Sequence, residues 1–376
     1  MICSRCIYDD TIPYITFDEN GVCNYCYEFD KLNIEYPIGE KGWNNLYSIA
    51  EKIKKHGRKN KYDLVVGVSG GCDSSYMLYL TKEKLGLRPL AVNFDNGWGT
   101  QIADDNLKKM CGGLNVDLKI YGVDKAEYDD VYKSEFKASV IELEAMADIA
   151  VAVSHYMACE EFGIKYVFEG RCFRTEGIVP PGWSYMDTKY VDSMHKQFGS
   201  TPIKTIPMLW LSTWMKWTII DRIKKFRPLY NIDYNKEEVK TMLNSKFGWQ
   251  WYGSHHAENK TSYFLNNYYL PKKFGIDIRY SEYAAFVRSG KMSKQDALNV
   301  MGKPSEFNLE VLEEFKQRLG LTDEEFEIGM NAPKKSYRDY KTYKKTFERL
   351  KPLFWIMYKL DLVPKSFYLK YATKLD

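Results

Sequence analysis

A chain of 376 residues, 45% apolar and 28% charged, has material for two or three domains with buried cores. No apolar run approaches the ~18 residues of a bilayer span, and Met1-Ile2-Cys3-Ser4-Arg5-Cys6 lacks a signal-peptide pattern, so no membrane insertion and a cytoplasmic location are expected. The net charge of +4 is uneven: Lys334 to Asp376 carries 12 Lys or Arg against 4 Asp or Glu, leaving the first 333 residues at −4. Such a tail suits an anionic partner or surface, or else is a solvated face of terminal helices whose Tyr, Phe and Trp pack inward.

Eight cysteines in such a chain are not expected to form a disulfide framework, and four fall into one pattern. Cys3, Cys6, Cys23 and Cys26 read C-x2-C-x16-C-x2-C, the spacing of a four-thiolate zinc ribbon over residues 1–36, with Asp18-Glu19-Asn20-Gly21 as the turn between the knuckles. An iron–sulfur cluster or free thiols are the other readings. Four protein ligands leave no open coordination position, so the metal is expected to be structural. A linker near Tyr36 to Gly42 precedes a helical pattern from Trp43 to His56.

Over residues 43–200 strands and helices alternate. In YDLVVGVSGGCDSSY, Tyr62 to Tyr76, an apolar strand from Leu64 to Val68 ends in a glycine-rich loop, and a helical pattern follows from Tyr76. Further strands are expected at Arg88 to Phe94, Val116 to Tyr121 and Tyr166 to Phe168, with helices at Gln101 to Cys111 and about Phe136 to Phe162. This alternation predicts an α/β fold, a parallel sheet with helices on both faces and a ligand at the carboxyl ends of the strands. Three polar clusters fall at those ends: Ser69–Ser75, Asp95–Trp98 and Glu169–Glu176. Val179 to Trp183 reads as a covering loop, and residues 201–376 as a mainly helical region for substrate or partner, with helices at Leu209 to Lys225, Lys236 to Lys246, Thr261 to Leu270 and Glu306 to Leu319. The apolar run Leu353 to Tyr358 is expected to be a packed terminal helix.

The loop makes an anion site. Gly70 and Gly71 permit a close, left-handed backbone, the following helix offers free N–H groups, Ser69, Ser74 and Ser75 add hydroxyls, and Asp73 suits a magnesium ion on bound phosphates. No Lys occurs between Tyr62 and Thr81, which excludes a Walker A loop, and the glycines do not spell G-x-G-x-x-G. The run Ser69-Gly70-Gly71-Cys72-Asp73-Ser74 resembles the SGGxDS loop of the PP-loop ATP pyrophosphatases, which include GMP synthetase, asparagine synthetase and tRNA-thiolating enzymes. The resemblance implies a PP-loop domain that binds ATP and Mg2+, adenylates a substrate and releases pyrophosphate. By it, Phe94 and Asn96 lie beside the adenosine, Asp73 lies near the magnesium, and Gly170 joins the nucleotide-binding set at the end of the fourth strand. Cys72 fills the variable position as a small thiol.

The nucleophile after adenylation is ammonia or sulfur. Cys72, Cys111, Cys159 and Cys172 contain no C-x2-C, which weakens a sulfur-transfer reading. Ile2 is not an N-terminal cysteine nucleophile and no nucleophile elbow is present, so ammonia is expected from a separate subunit. Together CSRCIYDDTIPYITFDENGVCNYC, SGGCDSS, NFDNGW, EGRCFRTEG and FGWQWYGSHHAENKTSYFLNNYYLPKKFGID resemble, over nearly the whole chain, the N-acetyl sugar amidotransferases of bacterial surface polysaccharide and nonulosonic acid pathways. That resemblance implies conversion of a sugar acetamido group to an acetamidino group with a HisH-like glutaminase as partner. A tRNA-thiolating enzyme is the rival, and a zinc-ribbon nucleic-acid or partner-binding module with a non-catalytic loop is the reading of another class; nucleic acid is not the expected partner.

Remaining roles are carried by position. Arg171 and Arg174 suit bidentate binding of a phosphate or sugar carboxylate, or ion pairs with Glu169 or Glu176. Lys260, Lys272 and Lys273 suit the departing pyrophosphate, or a solvated turn. His255 and His256 suit proton removal from the attacking nitrogen, or hydrogen bonding within a loop. Trp249, Trp251 and Tyr252 suit a wall for the sugar, or core packing.

Overall fold

The computed structural model describes residues 1–254, 256–360, 362–363 and 367–373. At the N-terminus two antiparallel bridges, Ile2 with Asp9 and Phe17 with Cys23, shape the ribbon, which runs into helix α1 (Asn24–Glu35). Helix α2 (Gly39–Gly57) starts earlier than expected. It buries Leu46, Ala50, Ile53 and Gly57, one stripe at helical spacing.

The α/β alternation then takes the expected form: β1 (Leu64–Gly67), α3 (Cys72–Tyr79), β2 (Pro89–Asp95), α4 (Gln101–Leu114), β3 (Leu118–Gly122), α5 (Lys125–Ala138), α6 (Ala145–Phe162) and β4 (Tyr166–Phe168). One helix was expected from Phe136 to Phe162; Ser139, at φ +60°, ends α5 in a left-handed cap, and the chain turns before α6 begins. After α7 (Thr188–Phe198) and α8 (Leu211–Met215) comes β5 (Lys224–Phe226), where the expected helix over Leu209 to Lys225 would have continued. The sheet therefore takes its last strand from beyond residue 200.

All five strands are parallel, in the order β3-β2-β1-β4-β5. Both faces of β1 are covered, which explains its unbroken apolar run. Val65 joins the core under α5 and α6, while Leu64 and Val66 join the core under α2, α3 and α4. The direction of strand order reverses between β1 and β4, opening the crevice in which a doubly wound sheet receives its ligand.

The remainder is helical: α9 (Lys236–Phe247), α10 (Lys260–Phe264), α11 (Arg279–Arg288), α12 (Lys294–Met301), α13 (Leu309–Arg318), α14 (Asp323–Asn331), α15 (Lys344–Arg349) and α16 (Lys351–Lys359). α10 runs on through Leu265–Phe274 as a wider helix that accommodates Pro271. The ribbon packs on α11 and α12 through Ala284 and Ala297, and α15 and α16 share a core with Trp214 of α8. Among the described residues no helix is long and apolar enough to cross a membrane.

Candidate nucleotide site and metal centre

The glycine-rich loop lies at the β1–β4 reversal, and its helix begins four residues before the expected Tyr76, so Cys72, Asp73, Ser74 and Ser75 form the first turn of α3. Gly71 is the N-cap and offers no side-chain acceptor; among the described residues none is paired with the N–H groups of Asp73 and Ser74. Those donors and the positive end of the helix face a cavity. The hydroxyls are braced: Ser74 Oγ accepts from Ser69 N at 3.1 Å and lies 3.2 Å from Ser69 Oγ, which accepts from Gly71 N at 3.3 Å. Ser75 is buried.

Two glycines here have a steric reason. Gly70 adopts φ +78°, and a Cβ on it would stand 2.1 Å from the Ala103 carbonyl oxygen. Its own carbonyl accepts from Trp249 Nε1 at 3.0 Å and Asn106 Nδ2 at 3.3 Å, so Trp249 is a buried brace for the loop, while Trp251 and Tyr252 line the cavity. Gly170 brings β4 against α3: a Cβ there would lie 3.2 Å from the Asp73 carbonyl.

Asp73 is held from α9 and the segment before it. Tyr234 donates to Asp73 Oδ1 at 2.5 Å and Lys236 lies 3.2 Å from Oδ2. Lys236 is buried, yet the charges of Asp73, Glu282 and Glu176 outweigh that burial and keep it protonated. Neither Tyr234 nor Lys236 was singled out from sequence. Burial pushes the Cys72 thiol up to about 12, in keeping with a space-filling role.

The cavity, about 2620 Å³, runs from this loop across the ends of β4 and β5 to the helical region. Arg171 is exposed, lines this cavity and, among the described residues, makes no hydrogen bond or close ion pair, with the charges of Asp148, Glu176 and Glu169 nearby. Beside it Glu169 binds Lys225 at 3.0 Å and Arg227 at 3.3 Å. Against the burial that would raise it, Lys225, Arg227 and Arg171 hold the Glu169 carboxyl well below the usual range. Glu176 faces the same space, and its carboxyl is raised to about 7 by burial and by the charge of Asp73. Asp73, Glu176 and Glu258 line the same cavity, but among the described residues only the four ribbon cysteines converge as a preformed metal site, so Asp73 suits a magnesium ion that arrives with the phosphates.

Other predicted site residues are placed differently. Phe94 lines the cavity, but Asn96 is buried in its own turn, donating to Tyr128 Oη at 3.0 Å and accepting from Trp98 N and Asn259 Nδ2. Arg174 is a cross-brace, donating to Asn33 Oδ1, Tyr230 O and Tyr36 O; it does not reach the cavity. Lys273 is buried and caps the end of α14 through the carbonyls of Gly329, Met330 and Ala332, Lys272 is exposed outside the cavity lining, and Lys260 pairs with Glu314 at 2.7 Å. Asn96, Arg174, Lys272 and Lys273 are thus not among the residues that line this cavity. His256 does line the cavity, and burial lowers its pKa, which keeps the imidazole neutral; His255 lies outside the described residues.

The four ribbon cysteines converge. Their sulfurs lie within 4.8 Å of one another, with Cys3–Cys26 at 3.9 Å, Cys6–Cys23 at 3.7 Å and Cys23–Cys26 at 3.6 Å. Metal–sulfur bonds of about 2.3 Å in a tetrahedron require edges of about 3.8 Å, so the set fits one tetrahedral ion; a four-iron cluster, with each thiolate on a separate iron, needs a wider cage. Arg288 of α11 is buried over these sulfurs, its Nη2 3.1 Å from Cys6 Sγ and its Nε 3.4 Å from Cys26 Sγ, while its guanidinium carbon lies 4.3 Å from the Tyr8 ring centre.

The fold and this loop define an α/β protein with a strand–loop–helix anion site. Residues 258–353 match the family described as LPS biosynthesis protein WbpG-like, C-terminal domain. An uncharacterised protein of Methanocaldococcus jannaschii is 25% identical over 85% of this chain and 99% of its own length. Among solved structures, NMN synthetase from Francisella tularensis aligns at 13% identity with a TM-score of 0.29, over 73% of this chain and 92% of that one. The U34-tRNA thiolase NcsA from Methanococcus maripaludis, with its 4Fe-4S cluster, aligns at 15% identity with a TM-score of 0.31, over 86% and 89%. At that distance neither structure carries anything about this chain's substrate.

Proposed function

We propose that the protein is a cytoplasmic ATP-dependent amidotransferase that converts the acetamido group of an N-acetylated sugar, free or nucleotide-linked, into an acetamidino group. Ammonia comes from a separate HisH-like glutaminase, and AMP and pyrophosphate are released. The observation that carries the reading is the SGGCDSS loop, whose Asp73 and Ser74 N–H groups have no partner among the described residues, opening at the sheet's switch point into a cavity that Arg171 also lines. The WbpG-like match of residues 258–353 supports a place in surface polysaccharide biosynthesis.

In this reading the N–H groups of α3 and the hydroxyls of Ser69 and Ser74 receive the phosphates of ATP, with magnesium beside Asp73. The acetamido oxygen attacks the α-phosphorus; the bond to the β-phosphate oxygen breaks and pyrophosphate leaves. Arg171 supplies a forked cation to the phosphorus centre or to an acidic group of the sugar. Ammonia then adds to the imidate carbon, a proton passes to a basic group in the cavity such as Glu176, and the C–O bond breaks to release AMP. An amide needs this activation because resonance makes it a poor electrophile. The ribbon metal, taken as zinc, is structural: four thiolates close its coordination.

Protein incubated with ATP, magnesium, an ammonium salt and a panel of acetamido sugars tests this directly. AMP and pyrophosphate are expected in equal amounts, with a product in which NH replaces one oxygen. Formation of ADP, or turnover on tRNA alone, would contradict the reading.

A further inference from the structure

The terminal helix α16 breaks the usual rule for a surface helix. Its inward side chains, Phe354 and Met357, enter a core shared with Phe347 and Phe367. On the opposite stripe, where polar groups are expected, stand Lys351, Pro352, Trp355, Ile356, Lys359 and the following Leu360. Trp355 is 49% exposed, Ile356 48% and Leu360 62%. Tyr368 joins Lys351, Pro352, Trp355 and Ile356 around a shallow apolar depression. The Lys359 ammonium sits 5.6 Å from the Trp355 ring centre and 5.4 Å from that of Tyr358, so cation and aromatic share one face. That stripe contains no acidic residue, and it belongs to the segment with 12 basic against 4 acidic residues.

We infer that this face docks on an anionic lipid surface, with Trp355 and Ile356 entering the headgroup boundary and Lys351 and Lys359 meeting the lipid charges. Charge complementarity favours that occupant over another protein. Protein interfaces are depleted in Lys at their centres, whereas helices that lie in a membrane interface combine Lys on the flanks with Trp and aliphatic groups on the buried side. Trp is at home at the headgroup level because its ring is apolar and its N–H stays wet. The contact is peripheral: one short helix, no span, and an attraction that salt screens. It is independent of the activity proposed above, since none of the stripe residues lines the nucleotide cavity.

The full-length protein is spun with vesicles of phosphatidylcholine and phosphatidylglycerol at three to one, and with vesicles of phosphatidylcholine alone. Binding to the anionic vesicles is expected, weakened by salt, and roughly tenfold or more weaker for the double change Lys351→Glu/Lys359→Glu. A second variant, Trp355→Ser/Ile356→Ser, is expected to lose binding as well; both keep the wild-type Tm because every altered side chain is exposed. No binding to anionic vesicles, or equal binding by the variants, would overturn the inference. So would a wild-type dimer in solution that Trp355→Ser/Ile356→Ser turns into a monomer, since the face would then be an interface between copies of this chain.

Discussion

Gly70 shows at the scale of one residue how strictly the loop is set. With φ +78° and the Ala103 carbonyl 2.1 Å from where a Cβ would stand, Gly70→Ala meets both a strained backbone and a hard contact. Its expected cost is roughly 1–3 kcal/mol or more, with loss of nucleotide binding measured by calorimetry. Asp73→Ala is expected to abolish AMP formation while metal content by atomic absorption stays unchanged, because Asp73 is remote from the ribbon sulfurs in its bonding. A pH test falls on Glu142, which accepts from Tyr185 N at 2.9 Å and Tyr190 Oη at 3.1 Å and is raised by burial from 4.5 to about 7. Between those values the folded state holds a proton that the unfolded state has lost, so stability falls as pH rises. Glu142→Gln is therefore expected to match the wild type near pH 4 and exceed it by roughly 3 kcal/mol at pH 8, read from denaturant midpoints. At this scale the sequence showed the loop and the four thiols, because both are local spacings. It did not show Lys236 or Tyr234 around Asp73, since those meet it only through the packing of α9 and the segment before it on α3. Nor did it show the partners that Asn96, Arg174 and Lys273 have, Tyr128, the Tyr36 carbonyl and the Gly329 carbonyl, which lie far off in sequence.

Between elements, α11 ties the ribbon to the nucleotide side. Arg288 near its end lies over the thiolates, and Ser281 near its start donates to the Glu176 carbonyl at 2.9 Å. Four thiolates around a divalent ion leave two negative charges in a buried site, and Arg288 offsets part of them. Arg288→Met is expected to weaken metal retention about 10- to 100-fold in competition with a chromophoric chelator, with Arg288→Lys recovering part of the loss. Cys23→Ser is expected to lower metal content and Tm together. Helix boundaries were legible where a cap marks them, as in α9, whose Asn235 side chain accepts from Glu237 N and Glu238 N. They failed at α5–α6, where Ser139 stops a run that otherwise reads as one helix, and at β5, a three-residue edge strand too short to show a period of two.

Over the whole molecule, the alternation of strands and helices was enough to foresee a parallel sheet, but not its order. Only the folded chain shows that β1 and β4 are direct neighbours, which sets Gly170 against the Asp73 backbone. The central claim is that an amide oxygen is adenylated in the crevice at the β1–β4 reversal. Its most direct measurement uses an acetamido sugar carrying a heavy oxygen isotope in the amide, with ATP, magnesium and ammonium, followed by mass spectrometry of the nucleotide product. The account predicts that the label appears in the phosphate of AMP. Label in ADP or inorganic phosphate, or label retained in the sugar while AMP accumulates, would contradict it.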